Sequence, residues 1–196
     1  GRTRASPAKG DITTHDINTV LPVGNTVAYV TVSGETQLEA LEASTYCTPE
    51  AVGAFPQVAG IEFTIDTAKA YDQGDQYPNS TYYGPKSVNR VTITSVNGKD
   101  FDPKATYVVV TNDFTAAGGD TYYAFTTSAN IVDTGVPMDE ALMSYITTEL
   151  KGVITAEKSG EPQGRITVKA PVFTDVVEGK WYYEAVMTAY EKELMN

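Results

Sequence analysis

Tyr107-Val108-Val109-Val110-Thr111 runs directly into Asn112-Asp113-Phe114-Thr115-Ala116-Ala117-Gly118-Gly119-Asp120. The first five residues, β-branched and aromatic, read as a buried strand. That strand ends in one aromatic ring, a Gly-Gly bend and a carboxylate. Paired glycines reach backbone angles that a side chain forbids, and they let another group come close. A flat apolar face a few residues from a hydrogen-bond acceptor suits a planar ligand with polar edges, such as a nucleoside. The same residues also fit a plain loop with a core Phe and a solvated Asp.

On the N-terminal side, Gly10-Asp11-Ile12-Thr13 leads into Asp16-Ile17-Asn18-Thr19-Val20-Leu21. Thr13 and Asp16 have the spacing of a helix N-cap pair, and Pro22 with Gly24-Asn25 ends the helix in a turn. Residues 26–32 form a strand. Residues 35–44 carry Leu38 and Leu41 at helical spacing, and residues 55–65 read as a second strand region. Residues 66–86 are rich in Tyr, Gly, Asp and Asn without a period, which indicates a surface excursion or irregular hairpin outside the core. Strands at 88–96 and 106–111 follow, with a hairpin turn at Asn97-Gly98 between them. Residues 138–150 form an amphipathic helix with Leu142, Ile146 and Leu150 on one face. Ile166-Thr167-Val168 is a closing strand. Strands and helices interleave without a regular repeat, so the fold class is α+β, a mixed β-sheet with packed helices.

Composition narrows the function. The 196 residues carry a net charge of −11 with a pI near 4.4. Nucleic-acid binding needs clustered Lys and Arg, so that class is excluded. No apolar run is long enough to span a membrane. One cysteine, Cys47, and one histidine, His15, cannot build a Cys/His metal centre or an internal disulfide. Cys47 reads as a small buried residue, and His15 as an exposed first-turn side chain.

Four spaced motifs, in order, resemble the C-terminal domain of the bacterial 5′-nucleotidase / UDP-sugar hydrolase family. They are Gly10-Asp11-Ile12-Thr13, Leu21-Pro22-Val23-Gly24-Asn25, Gly53-Ala54-Phe55-Pro56-Gln57-Val58-Ala59-Gly60, and the opening segment from Asn112 to Asp120. The resemblance covers residues 1–169 and implies a substrate-recognition domain. A separate N-terminal metallophosphoesterase domain, absent here, would hold two divalent metal ions and hydrolyse the phosphate. It implies no cofactor within this chain and no hydrolysis by this chain alone. Carried over residue by residue, Phe114 matches one of two rings that sandwich the base. Asp120 matches the carboxylate near the sugar, Asn25 a polar residue of the proline-turn motif, Gly53 a pocket glycine and Arg4 a phosphate-binding arginine. Val23 stands where the second ring falls. Gly1-Arg2-Thr3-Arg4 stands in place of a Gly-Gly-Ile-Arg motif, and Thr121 replaces a glycine.

Residues 170–196 differ in composition. Ala170-Pro171 reads as a linker, and Phe173-Thr174-Asp175-Val176, Trp181-Tyr182-Tyr183-Glu184-Ala185-Val186 and Glu193-Leu194-Met195 resemble the first half of an S-layer homology module. Complete modules of that family anchor proteins to cell-wall polymers, which implies an extracellular, cell-wall-associated parent of Gram-positive type. Half a module is expected to pack its helix on a neighbour and bury Trp181. The partners implied are a nucleotide or nucleoside, the N-terminal catalytic domain and, through complete modules, a cell-wall polymer. Two alternatives stand beside this reading. One is a cell-envelope binding or structural module with a degenerate nucleotide pocket. The other is a glycan binder using Tyr71, Tyr77, Tyr82 and Tyr83.

Overall fold

The computed structural model describes residues 9–169, 175–176 and 179–191. Thr13 opens the first helix, α1 (Thr14–Val20), with a complete capping box. Its hydroxyl accepts from the Asp16 N–H, and the Asp16 carboxylate accepts from the Thr13 N–H at 2.8 Å. The turn after α1 delivers β1 (Thr26–Ser33), whose Ala28, Val30 and Val32 face the core. Ser33 then caps α2 (Gly34–Ser44).

α2 is the pivot of the molecule. Ala40 belongs to one apolar cluster, with Ala28, Val30, Val32, Tyr122 and Phe125. Leu41, the next residue, belongs to a second, with Ile61, Phe63, Ile65, Val91 and Ile93. A helix wedged between two clusters is buried on several sides, which blurs the one-sided stripe of a surface helix. Gly34 starts it because a Cβ there would sit 2.5 Å from the Asp102 carbonyl.

The chain continues through β2 (Ile61–Asp66), β3 (Gln73–Gln76), β4 (Tyr83–Pro85), β5 (Val91–Val96), β6 (Lys99–Asp100) and β7 (Thr106–Asn112). It then forms α3 (Asp113–Ala116), a 3-10 turn (Tyr123–Thr127), β8 (Asn130–Pro137), α4 (Met138–Thr148), α5 (Ala156–Ser159), β9 (Ile166–Lys169) and α6 (Tyr183–Glu191). A three-stranded sheet has the order β7-β1-β8 and is antiparallel; a four-stranded sheet runs β6-β5-β2-β9 and is mixed, because β9 pairs parallel with β2; β3 and β4 form a separate two-stranded sheet. The mixed α+β class expected from the sequence is the class observed.

Several local expectations change. Residues 55–60 are not strand: Pro56 lacks an N–H for the ladder, and Phe55 and Val58 pack sideways onto the second cluster. Strand β5 starts only at Val91, and the Arg90 N–H just before it donates to the Glu42 carboxylate. Asn97 and Gly98, both with positive φ, do make a hairpin turn, but its second strand is the two-residue β6. β7 crosses to the other sheet instead, steered by backbone bonds from Gly34 to Ala105 and from Glu35 to Pro103. There it is an edge strand, not a buried one: Val108 is 64% and Val110 69% exposed. Residues 66–86 form the β3–β4 hairpin, and Tyr77 from it is buried after all, packed over Gly84. Cys47 is half-buried. Trp181 is 92% exposed, against the expectation that it would be buried.

Candidate functional site

β7 ends at Asn112, whose side-chain oxygen caps α3 by accepting from the Thr115 N–H at 2.7 Å. That cap turns the chain by one short helix and presents Phe114 half-exposed at its outer side. The Gly pair beneath divides two tasks. Gly118 has φ +86°, which favours glycine, and a Cβ on it would meet Thr126. Gly119 lies under the aromatic ring, where a Cβ would sit 2.5–2.6 Å from three atoms of Phe114. Asp120 follows at φ +53°, a region that Asp tolerates better than most residues. Thus the ring, its glycine seat and the carboxylate lie on one tight bend.

Asn25 joins this unit from the other side. Its side-chain N–H donates to Asp113 at 2.6 Å, and the Thr26 N–H donates to the same carboxylate oxygen at 3.3 Å. A carboxylate only accepts, so the Asn25 amide orientation is fixed. The Asn25 carbonyl meanwhile accepts from the Met138 N–H. Asn25 therefore ties the turn after α1 to the residue before Phe114 and to the start of α4. Val23, in that turn, is 59% exposed.

Gly53 comes in through its neighbour. The buried Tyr122 hydroxyl donates to the Ala54 carbonyl at 2.9 Å, which brings the loop of Gly53 towards Asp120. Burial first, and Asp120 second, push the Tyr122 hydroxyl above its usual range. Tyr46 is pushed up to about 12, chiefly by burial, then by Cys47, Tyr82 and Asp120. Both phenols stay protonated donors at neutral pH. Tyr82 meets Tyr46 edge-on with ring centres 5.7 Å apart, and Tyr77 packs on Tyr123 at 4.9 Å. The Tyr-rich hairpin is thereby pinned beside the Asp120 loop. Tyr71 spends its hydroxyl inside the hairpin, on the Tyr83 carbonyl.

The structure thus brings together Phe114, Asp120, Asn25 and the loop of Gly53. Arg4 lies outside the described residues. Asp113, Tyr122 and Tyr46 belong to the same assembly, although the sequence analysis assigned them no part. For Asp113 a signal existed: an acidic residue directly after an Asn cap sits in the first turn, where a partner amide can reach it. The two tyrosines gave none, since each is placed by a residue distant in the sequence, Tyr122 by Ala54 and Tyr46 by Tyr82. Among the described residues, no group of three His, Cys, Asp or Glu side chains could hold a metal ion. None of the described helices is long and apolar enough to cross a membrane.

A strand-capped aromatic on a Gly-Gly seat, a following carboxylate and a proline-turn Asn stand in an α+β fold of the 5′-nucleotidase C-terminal type. The chain belongs to the family described as 5′-nucleotidase, C-terminal domain, which matches residues 1–127. It is similar to the trifunctional nucleotide phosphoesterase protein YfkN of Bacillus subtilis, 37% identical over 137 residues, covering 69% of this chain and 8% of that protein. It is similar also to the cell wall protein Lmo0130 of Listeria monocytogenes, 29% identical over 160 residues, covering 81% of this chain and 18% of that protein. Among solved structures, a 5′-nucleotidase precursor from Thermus thermophilus superposes with a TM-score of 0.68 at 33% identity. That superposition covers 87% of this chain and 30% of the other. The chain therefore spans less than a third of each of these relatives.

Proposed function

We propose that this chain is the substrate-recognition domain of a secreted 5′-nucleotidase or UDP-sugar hydrolase. The observation that carries the reading is the half-exposed Phe114 ring seated on Gly119, one residue before Asp120. Phe114 offers a face for a base, a contact worth about 1–3 kcal/mol. Asp120 accepts from the ribose hydroxyls, with the loop of Gly53 beside it. Asn25 acts partly as a positioning residue, through Asp113. Arg4 supplies a guanidinium to the phosphate, which a fork of donors grips better than a point charge. Hydrolysis belongs to a separate catalytic domain of the parent, with two divalent metal ions. Residues 1–169 form the recognition domain and residues 170–196 a linker with half an S-layer homology module. Similarity to a cell wall protein supports a parent at the cell surface.

A second reading is a cell-envelope module with a degenerate pocket. It is favoured by Val23, an exposed aliphatic residue where the second ring belongs. One comparison separates the two. If Asp120 holds the sugar, adenosine binds more tightly than 2′,3′-dideoxyadenosine by about tenfold, and Asp120→Asn removes most of that difference. Equal affinities for both nucleosides, or no binding of either, would favour the second reading.

A further inference from the structure

A groove of about 740 Å³ is lined by residues 107–112 of β7 without interruption, and at the Asn112 end it reaches Val27 of β1, Thr115 and Met138. Its floor is Gln37, Ala40 and Leu41 of α2 with Tyr122 and Phe125; its far wall is residues 56–61 with Val96 and Asn97. Successive residues of a strand point to opposite faces, so a space touching all six runs along the strand's edge. On that edge β7 has no neighbouring strand among the described residues. None of the residues that line the groove carries a charge, although the whole chain has a net charge of −11. Natural sheets blunt free edges with Lys, Pro, bulges or covering segments. β7, Thr-Tyr-Val-Val-Val-Thr-Asn, has none of the first three within it.

We propose that this groove takes an extended, uncharged polypeptide segment, which adds as a strand to the free edge of β7. The edge position of β7 decides for a strand, because a row of unpaired N–H and C=O groups pairs with extended backbone. Six residues of β7 span roughly 20 Å. The segment comes from the parent polypeptide itself. In the relatives more than two-thirds of the chain lies outside the matched part, and a tethered strand meets the edge at high effective concentration. The groove meets the proposed nucleotide site at Asn112, Thr115 and Tyr122 and runs from there along β7.

The test is amide hydrogen exchange across residues 106–112, in this chain and in the longer parent. The edge amides of β7 are expected to exchange at least about tenfold more slowly in the parent, while β1 amides change little. Equal exchange in the two overturns the proposal. So does slowing in this chain alone that grows with its concentration, since a second copy would then be the occupant. A double substitution, Val108→Lys with Val110→Lys, provides a further check. Both side chains are exposed here, so this chain keeps its Tm to within about a degree, whereas the parent loses several degrees. An unchanged Tm in the parent overturns the proposal.

Discussion

Gly119 carries no Cβ, and the Phe114 ring takes the space one would fill. The contact sets the height and tilt of the ring over the bend. Gly119→Ala would force the ring off by an ångström or more, because three ring atoms are met at once. The ring can swing outwards, since Phe114 is 50% exposed, so the fold tolerates the change. The expected outcome is a loss of nucleoside affinity of about 1 kcal/mol or more with a far-UV spectrum unchanged, read by calorimetric titration. Gly118 serves the other purpose, a positive φ. Sequence alone named both uses of glycine but could not say which residue served which, since that depends on where a ring four or five residues away comes to rest. At the same scale, Val23 was legible as a departure, but its exposure was not.

At the scale of elements, α2 is fastened to β5 by its own acid. Glu42 is fully buried, and its carboxylate accepts from the Arg90 N–H with both oxygens and from the Val91 N–H at 2.8 Å. The Arg90 guanidinium then donates to the Thr45 and Thr48 carbonyls, at 2.6 Å each, closing the end of the helix. Glu42→Ala leaves two buried N–H groups without acceptors, which costs about 3 kcal/mol or more. Urea denaturation with an unchanged slope is the measurement. The capping box of α1 makes a pH prediction. Hydrogen bonds from Thr13 hold the Asp16 carboxyl below its ordinary 3.8. A lowered folded-state value stabilises the fold above the unfolded value and is lost as pH falls through the folded one. The Tm difference between this chain and Asp16→Asn is therefore present at neutral pH and closes below about 3.8. The box was legible because it is local: two side chains three residues apart. Glu42 and Arg90 were not, because 48 residues separate them. The edge position of β7 escaped for a similar reason. A β-branched run looks alike at the centre of a sheet and at its margin, and only the pairing with β1 distinguishes them.

At the scale of the molecule, one helix packs between the two apolar clusters, and the candidate site residues gather where α3 leaves the first sheet. Phe114 and Asp120 could be read from one stretch of sequence. Their convergence with Asn25 and the Gly53 loop could not, since it rests on Asp113 and Tyr122, two contacts 88 and 68 residues long in sequence. The central claim is that this convergence recognises a nucleotide. Isothermal titration of the chain with adenosine, AMP and UDP-glucose, repeated with Phe114→Ala, tests it most directly. Saturable binding of at least one of the three, weakened by about 1–3 kcal/mol in the variant, is the result expected. Absence of binding at millimolar ligand, or binding that Phe114→Ala leaves untouched, would contradict it.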